Sequence, residues 1–228
     1  MPTLTNIIRT FARKINKQTA DMKKILIMVL GLLPLSMWAQ DNSWERPEEE
    51  LEQEEVKKAK VNPDAKYLRG AVPEVDGKVV FSKTIEAPGK SADQIFSIIK
   101  GYMNKMLREK NQLNSVMLVD DSTAHHVGGR YEEWLIFKKT AIMLDQTRFM
   151  YVLDAQCQDG KAEVTLSHIR YLYEEQRDPQ RLRAEDWITD AEAVNKKNTK
   201  LYPITGKFRR KTIDRKDFLF NKLESLLK

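Results

Sequence analysis

A long β-hairpin centred on Asp159-Gly160 constrains the fold of this chain of 228 residues more than any other feature. Residues 147–157 and 161–173, on either side of it, are rich in aromatic and aliphatic side chains. Asp-Gly between two such runs is typical of a two-residue type I′ turn, because both residues tolerate the positive φ that this turn requires. Residues 131–137 predict the strand before the hairpin. The sequence therefore predicts an antiparallel meander.

Further elements precede the meander. Residues 78–86 predict a first strand, and Ser91 with Gln94 forms a capping-box pattern at the start of a helix. The apolar residues of that helix form one face: Ile95, Ile98, Ile99, Tyr102, Met103 and Met106. Residues 115–120 supply the fourth strand of the meander. A closing helix capped by Asp214 completes an α+β fold, a twisted antiparallel sheet with two helices packed on one face.

The two hairpin strands carry further information about the second face of the sheet. Met150 and Val152 are apolar but point away from their apolar neighbours, so we expect a cover for them. An insert at residues 178–205 has suitable side chains, and we predict that it covers part of this face beside a ligand cleft. Those side chains are Trp187, Ile188, Leu201 and Tyr202. A change in the parity of apolar positions predicts a bulge near Ser167-His168.

The chain begins with a pattern typical of a signal peptide. Lys23 and Lys24 precede an apolar run too short to span a bilayer, and the run ends at the small residue Ala39. We predict cleavage after Ala39 and translation from Met22, so that residues 1–39 are leader; an amphipathic organellar presequence within residues 6–15 is the competing interpretation. The sequence thus predicts export to the periplasm or exterior of a Gram-negative-type bacterium, with no membrane span in the mature chain.

The remaining chain divides into a charged tether at residues 40–74 and a single domain at residues 75–228. The net charge of +6 is concentrated in the leader. Residues 1–39 hold six of the 39 basic residues and one of the 33 acidic residues, which leaves 33 basic and 32 acidic residues downstream. A mature chain that is nearly neutral lacks the dense basic field that phosphates attract, so we predict no nucleic acid partner.

Three segments of the domain resemble a known family. They are the opening at residues 78–83, Glu185-Asp186-Trp187-Ile188-Thr189-Asp190, and the closing residues 207–214. With the leader, they are similar to a bacterial secreted family defined by a domain of unknown function with a TATA-binding-protein-like (TBP-like) fold. The resemblance covers roughly residues 75–228. It implies the TBP-like fold and export, and it implies no particular activity.

Catalytic patterns are weak throughout. Asp120, Asp121, His125 and His126 share a loop, and carboxylates with imidazoles could bind a metal or serve a hydrolase. Their spacing matches no ligand set that we know, and a polar surface loop is the simpler interpretation. Cys157 has no partner in sequence for a disulfide or a catalytic thiolate. We therefore predict a protein without enzymatic activity, cofactor or metal, with an extracytoplasmic hydrolase using residues 120–126 as the alternative.

A basic run offers the best candidate site for an anion. Lys207, Arg209, Arg210 and Lys211 lie just before the closing helix, where guanidinium groups could hold phosphate, sulfate or an acidic glycan. The competing interpretation is a solvated corner between a strand and a helix, in which the arginines pair with the acids of residues 174–192. With Trp187 and Tyr202, these four residues make up the predicted binding site. The leading hypothesis is an exported domain that binds a ligand or protein partner through the sheet and its insert.

Overall fold

A computed structural model of the chain describes residues 62–228. The leader, its cleavage after Ala39 and most of the tether lie outside these residues. The strands are β1 (Glu74–Val75), β2 (Lys78–Val79), β3 (Phe81–Glu86), β4 (Val116–Asp121), β5 (His126–Lys139), β6 (Leu144–Gln158), β7 (Lys161–Tyr173) and β8 (Gln180–Arg183). The helices are α1 (Ala92–Met106), α2 (Asp190–Ala193) and α3 (Pro203–Leu227), and a 3-10 turn spans Ala65–Tyr67.

The main sheet has the order β3-β7-β6-β5-β4, and every pairing in it is antiparallel. The predicted four-strand meander, β4 to β7, is confirmed. The outer edge of β7 has two partners, because β3 pairs with residues 161–166 and β8 pairs with residues 170–173. The insert therefore supplies one short strand to the sheet.

The central hairpin has the predicted two-residue turn, but the predicted turn type is wrong. Of its two residues only Gly160 has a positive φ, 77°, whereas type I′ requires positive φ at both. The carboxylate of Asp159 accepts a hydrogen bond from the backbone N–H of Ala92 at 2.8 Å. The Gly160 N–H donates to the carbonyl of Lys90 at 2.9 Å. The hairpin end is thereby joined to the start of α1.

The bulge predicted near Ser167-His168 is confirmed. Met150 pairs with Arg170 while Val152 pairs with Ser167, so one residue of β6 faces two residues of β7. His168 occupies the left-handed region with a φ of 54°. The bulge reverses which residues of β7 point to each face, and it lies where the edge of β7 changes partner from β3 to β8.

Helices α1 and α3 pack together on one face of the sheet, as predicted. The Ser91–Gln94 capping box is formed at the start of α1. The core between the helices and the sheet is built from fully buried apolar and aromatic side chains: Ile95, Ile99 and Met103 of α1, Tyr131, Phe149, Tyr151 and Tyr171 of the strands, and Phe208, Leu219 and Leu223 of α3. Among the described residues, no helix is both long enough and apolar enough to cross a membrane.

The last helix starts earlier than predicted. It begins at Pro203, so the prediction that Asp214 caps its first turn is wrong. The Asp214 carboxylate accepts a hydrogen bond from the Tyr67 hydroxyl at 2.8 Å and pairs with Lys66 at 2.7 Å. These tertiary partners satisfy the carboxylate in the middle of a helix, where it has no free backbone N–H to cap. Residues 207–211 therefore lie within a helix and not at a corner between a strand and a helix.

The prediction that the insert covers the second face of the sheet is also wrong. Trp187 packs edge-on against Phe208 of α3, with ring centroids 5.9 Å apart, and Ile188 is buried with the core of the helical side. On the helical side, the insert packs against the ring of Phe208 and accepts hydrogen bonds from the buried guanidinium of Arg209. Met150 and Val152 consequently remain partly exposed.

Candidate functional site

The face of the sheet opposite α1 and α3, here called the open face, is covered by no described helix. Its side chains come from alternate residues of paired strands and form cross-strand rows. One row runs Trp134, Arg148, Leu172 and Arg181; the next runs Glu132, Met150, Arg170 and Arg183. Directly opposed side chains in such rows have Cβ atoms about 5 Å apart. Apolar and charged groups thus alternate at contact distance across this surface.

A hollow of about 430 Å³ lies at the end of the sheet where β5 meets β6 and β7 leads to β8. Its apolar walls come from Trp134, Met143, Leu144 and Leu172, with Tyr173 beside them. Loop residues 174–177 close one side. Concave, partly apolar surfaces with a few polar groups are where proteins commonly bind ligands. The hollow is therefore the candidate ligand site on the open face.

A network of ion pairs centred on Arg148 stabilises the residues that line the hollow. Arg148 donates to both oxygens of Glu175 at 2.6 and 2.7 Å and to Glu132 at 2.9 Å. Its guanidinium carbon also lies 5.5 Å from the ring centroid of Trp134. Hydrogen bonds to Glu175 and Glu132 raise the pKa of Arg148 above its ordinary value. Arg148 is therefore committed to internal partners and positions Trp134 rather than an external ligand.

Three other arginines, here called the arginine strip, lie beside the hollow on β7 and β8: Arg170, Arg181 and Arg183. All three are exposed. Arg170 pairs directly across from Arg183, and like charges at such positions destabilise a sheet. Arg183 is compensated by Asp186 at 2.7 Å. Within residues 62–228, the side chains of Arg170 and Arg181 make no hydrogen bond or ion pair, so the strip holds uncompensated positive charge.

The bulge places a strained residue next to the strip. His168 is exposed, and its Nδ1 lies 2.9 Å from Ser167 Oγ. A positive φ in a residue other than glycine costs free energy, and such positions concentrate at ligand-binding sites. Ser167 pairs with Val152, which in turn pairs with Arg130, another exposed arginine. The bulge therefore extends the polar surface of the open face.

The structure does not bring the sequence-predicted site residues together. Lys207 donates to Asp145 at 2.8 Å and to Tyr173 Oη at 2.9 Å. Burial lowers the pKa of Lys207, but the hydrogen bonds to Asp145 and Tyr173 outweigh it and the pKa is raised. Arg209 is completely buried, with four of its donors bonded to the carbonyls of Tyr67, Ile188 and Leu68 and to Asp190. An external anion has no access to Arg209, so its predicted role in an anion site is wrong.

The other predicted residues are dispersed around α3. Arg210 pairs with Asp64 at 2.7 Å, and Lys211 is half-buried and engaged within the protein. Trp187 packs on Phe208 as described, and Tyr202 is exposed at the residue before α3. The pairing of Arg209 with Asp190 agrees with the competing interpretation that the arginines pair with nearby acids. The residues that sequence reasoning missed are those of the strip, although the alternation Arg181-Leu182-Arg183 is itself typical of a strand.

The loop predicted at residues 120–126 is a four-residue turn, residues 122–125, because β4 extends to Asp121 and β5 begins at His126. His125 Nε2 lies 2.9 Å from Asp93 Oδ1, whereas His126 Nε2 lies 2.8 Å from Asp154 Oδ2. The two imidazoles thus reach different carboxylates and do not converge on one centre. Hydrogen bonds from the backbone of Ala124 and Thr123 lower the pKa of Asp121. Residues 62–228 contain no cluster of three or more side chains that could hold a metal ion.

Comparison with known proteins shows to which family the chain belongs. A family model described as a domain of unknown function (DUF4468) with TBP-like fold matches residues 81–172. The crystal structure of a DUF4468 family protein from Bacteroides ovatus is 39% identical, with a TM-score of 0.67, over 73% of this chain and 96% of that chain. The chain belongs to the DUF4468 family. The resemblance noted in the sequence and the antiparallel α+β, TBP-like fold are both confirmed.

A second structure shares the fold of this DUF4468 protein. It is a TBP-like protein from Parabacteroides distasonis, 18% identical, with a TM-score of 0.55, over 68% of this chain and 96% of that chain. A search of curated proteins gave no significant match. The matched residues 81–172 run from β3 to β7 and include Trp134, Arg170 and Leu172. Arg181 and Arg183 lie beyond them, on the strand that the insert adds.

Proposed function

We propose that this DUF4468 protein is an exported, non-catalytic domain that binds an anionic ligand with an apolar part on the open face of its sheet. The observation that carries the proposal is the uncompensated charge of Arg170 and Arg181 beside the hollow at Trp134 and Leu172. The insert takes part only through β8.

The short distance between the apolar wall of the hollow and the arginine strip allows one ligand to contact both. Leu172, in the wall of the hollow, pairs directly with Arg181 on β8. The Cβ atoms of such a pair are about 5 Å apart, so an apolar group resting on Leu172 would hold an attached anion within reach of the Arg181 guanidinium. Guanidinium groups bind carboxylates and phosphates through two parallel hydrogen bonds, which gives orientation as well as affinity.

The acids around the hollow do not oppose such a ligand. Glu175 is bonded to Arg148, Asp145 is bonded to Lys207, and Glu174 lies 3.9 Å from Arg177, so each of these three carboxylates has a basic partner.

The charged side chains left unengaged beside the hollow are the cations Arg170 and Arg181. The Ser167 hydroxyl and the His168 imidazole lie 2.9 Å apart at the bulge, but no described carboxylate is hydrogen-bonded to the imidazole to orient it, and we therefore propose binding without catalysis. Export is proposed from the basic, apolar and small-residue order of residues 22–39.

Calorimetric titration of residues 40–228, which contain every described strand and helix, tests the proposal with simple probes. Decanoate joins an apolar chain to a carboxylate, and decyltrimethylammonium has the same chain with the opposite charge. We expect decanoate to bind and the cation to bind at least tenfold more weakly, since that ratio corresponds to about 1.4 kcal/mol. The proposal is overturned if decanoate does not bind, or if both probes bind equally.

Matched variants locate the site. Arg170→Gln with Arg181→Gln removes the uncompensated charge of the strip, whereas Lys222→Gln removes one exposed cation from α3. We expect the first pair of changes to weaken decanoate binding at least tenfold, because a single charge-assisted hydrogen bond contributes about 1.5–3 kcal/mol and tenfold corresponds to about 1.4 kcal/mol. Lys222→Gln should leave binding unchanged. Equal losses in the two variants would show a general effect of net charge and no site.

A further inference from the structure

The connection between β5 and β6, residues 140–143, together with Leu144 at the start of β6, is here called the hairpin tip and exposes three consecutive large apolar side chains. Ile142 is 98% exposed, Leu144 53% and Met143 46%. Single exposed apolar residues are ordinary, but adjacent ones at a protruding end expose a contiguous apolar surface to water. An isoleucine with almost no protein neighbour contributes nothing to the core. The stability of the fold therefore does not explain this sequence.

The backbone of the hairpin tip is suited to a medium without water. The N–H of Thr140 donates to the carbonyl of Met143 at 2.8 Å. The N–H of Met143 donates to the Thr140 hydroxyl at 3.0 Å, and that hydroxyl donates to the Met143 carbonyl at 3.3 Å. Unsatisfied backbone groups are what make irregular loops costly in hydrocarbon. Thr140 removes part of that cost by closing the turn on itself.

The charged residues at the base of the hairpin tip are basic, while the acids that share the hollow with it, Glu174 and Glu175, pair with Arg177 and Arg148. Lys138 and Lys139 stand at its base and both are exposed, and no acidic residue occurs from residue 138 to residue 144. The first acid, Asp145, is bonded to Lys207. An apolar end with basic residues at its base is complementary to the surface of an anionic bilayer, in which hydrocarbon lies beneath phosphate groups.

The size and shape of the hairpin tip favour a bilayer over a second copy of the chain. Three side chains bury at most several hundred Å² on one partner, whereas stable protein interfaces bury roughly 1,200–2,000 Å² in total. The near-complete exposure of Ile142 means that the tip is convex at this residue, while Met143 and Leu144 also line the hollow of the open face. A fluid bilayer accepts a small convex apolar end without requiring a complementary pocket. We propose that the hairpin tip inserts into the surface of an anionic phospholipid bilayer, a function beyond ligand binding on the open face.

Vesicle co-sedimentation of residues 40–228 tests this proposal. We expect binding to vesicles of phosphatidylglycerol and phosphatidylcholine in equal parts, weaker binding to pure phosphatidylcholine, and a decrease with added salt. Ile142→Asp should reduce binding by about tenfold or more, because the variant no longer gains the free energy of transferring one isoleucine side chain from water to an apolar medium. The matched control is Leu118→Asp, because Leu118 of β4 is 55% exposed and lies outside the hairpin tip.

A second variant reports insertion directly. Ile142→Trp should show a shift of tryptophan emission to shorter wavelength when the anionic vesicles are added. The proposal is overturned if the unmodified protein does not bind these vesicles at low salt, or if Ile142→Asp and Leu118→Asp bind alike. Self-association that Ile142→Asp abolishes without vesicles would identify a second copy as the occupant and contradict the bilayer. Decanoate binding by Ile142→Asp should persist, which separates this proposal from ligand binding.

Discussion

Arg215 of α3 donates two hydrogen bonds to the carboxylate of Glu133 of β5, both at 2.7 Å, in the interior of the protein. The side chains are 3% and 1% exposed. The Tyr151 hydroxyl donates to Glu133 at 3.0 Å and the Gln112 amide donates at 2.9 Å. One carboxylate oxygen therefore has two partners, and the other has three with the Asn111 amide at 3.4 Å. This network joins the helical layer to the middle of the sheet.

Replacing Glu133 by glutamine should destabilise the protein by about 3–5 kcal/mol, because the buried guanidinium of Arg215 then lacks a counter-charge. Urea unfolding followed by circular dichroism measures this change. The control replaces both residues, Glu133→Leu with Arg215→Met, and should lose less than Glu133→Gln because no unpaired charge remains buried. A loss below about 1 kcal/mol for Glu133→Gln would contradict the importance of the pair.

Glu109 lies close enough to this network to be affected by its charges. Burial raises its pKa above the ordinary 4.5, Arg215 lowers it, and Glu133 raises it, with a net increase. When the folded-state pKa of a carboxyl is raised, its protonation stabilises the folded protein at pH values below the unfolded-state pKa. This stabilisation is lost as the pH rises through the folded-state pKa. Glu109→Gln should therefore raise the melting temperature at neutral pH, and the gain should vanish below about pH 4.5. A gain that grows on acidification would contradict this assignment.

Arg209 holds two distant segments against α3. It donates to the carbonyls of Tyr67 at 2.6 Å and of Ile188 at 2.7 Å. Arg209→Lys keeps the charge but leaves buried carbonyls unsatisfied, each at a cost of about 1–3 kcal/mol. We expect a loss of about 3 kcal/mol and faster amide exchange at residues 188–194.

Arg210→Lys is the matched control for Arg209→Lys. The Arg210 side chain, which pairs with Asp64, is 36% exposed. Ion pairs exposed to solvent in this way contribute about 0–1 kcal/mol to stability. Stability and exchange should change little in this variant. Equal effects of the two substitutions would show that the buried contacts of Arg209 do not hold the insert.

Local signals explain what the sequence could predict. The capping box at Ser91, the hairpin at Asp159-Gly160 and the bulge near His168 each depend on neighbouring residues. Strand alternation also placed Met150 and Val152 correctly on the face away from the core. These features led to the sheet order of the meander and to one helical layer.

The failures come from contacts between residues far apart in the sequence. Asp214 looked like a helix cap, but Tyr67 and Lys66 satisfy it within a longer helix. The direction in which the insert packs depends on carbonyl acceptors for Arg209, which no local pattern reveals. The arginine strip was missed because Arg170 meets Arg183 only through the register of β7 with β8. A candidate site built across strands requires that register before its residues can be recognised.

Nuclear magnetic resonance titration of residues 40–228 with decanoate tests the central claim, ligand binding on the open face, most directly. The backbone amides of Arg170, Leu172 and Arg181 and the indole N–H of Trp134 should show the largest shifts. The amides of α3 should move little, since that helix lies on the opposite side of the sheet. Shifts confined to α1 and α3, or to residues 120–126, would contradict the assignment of the binding surface.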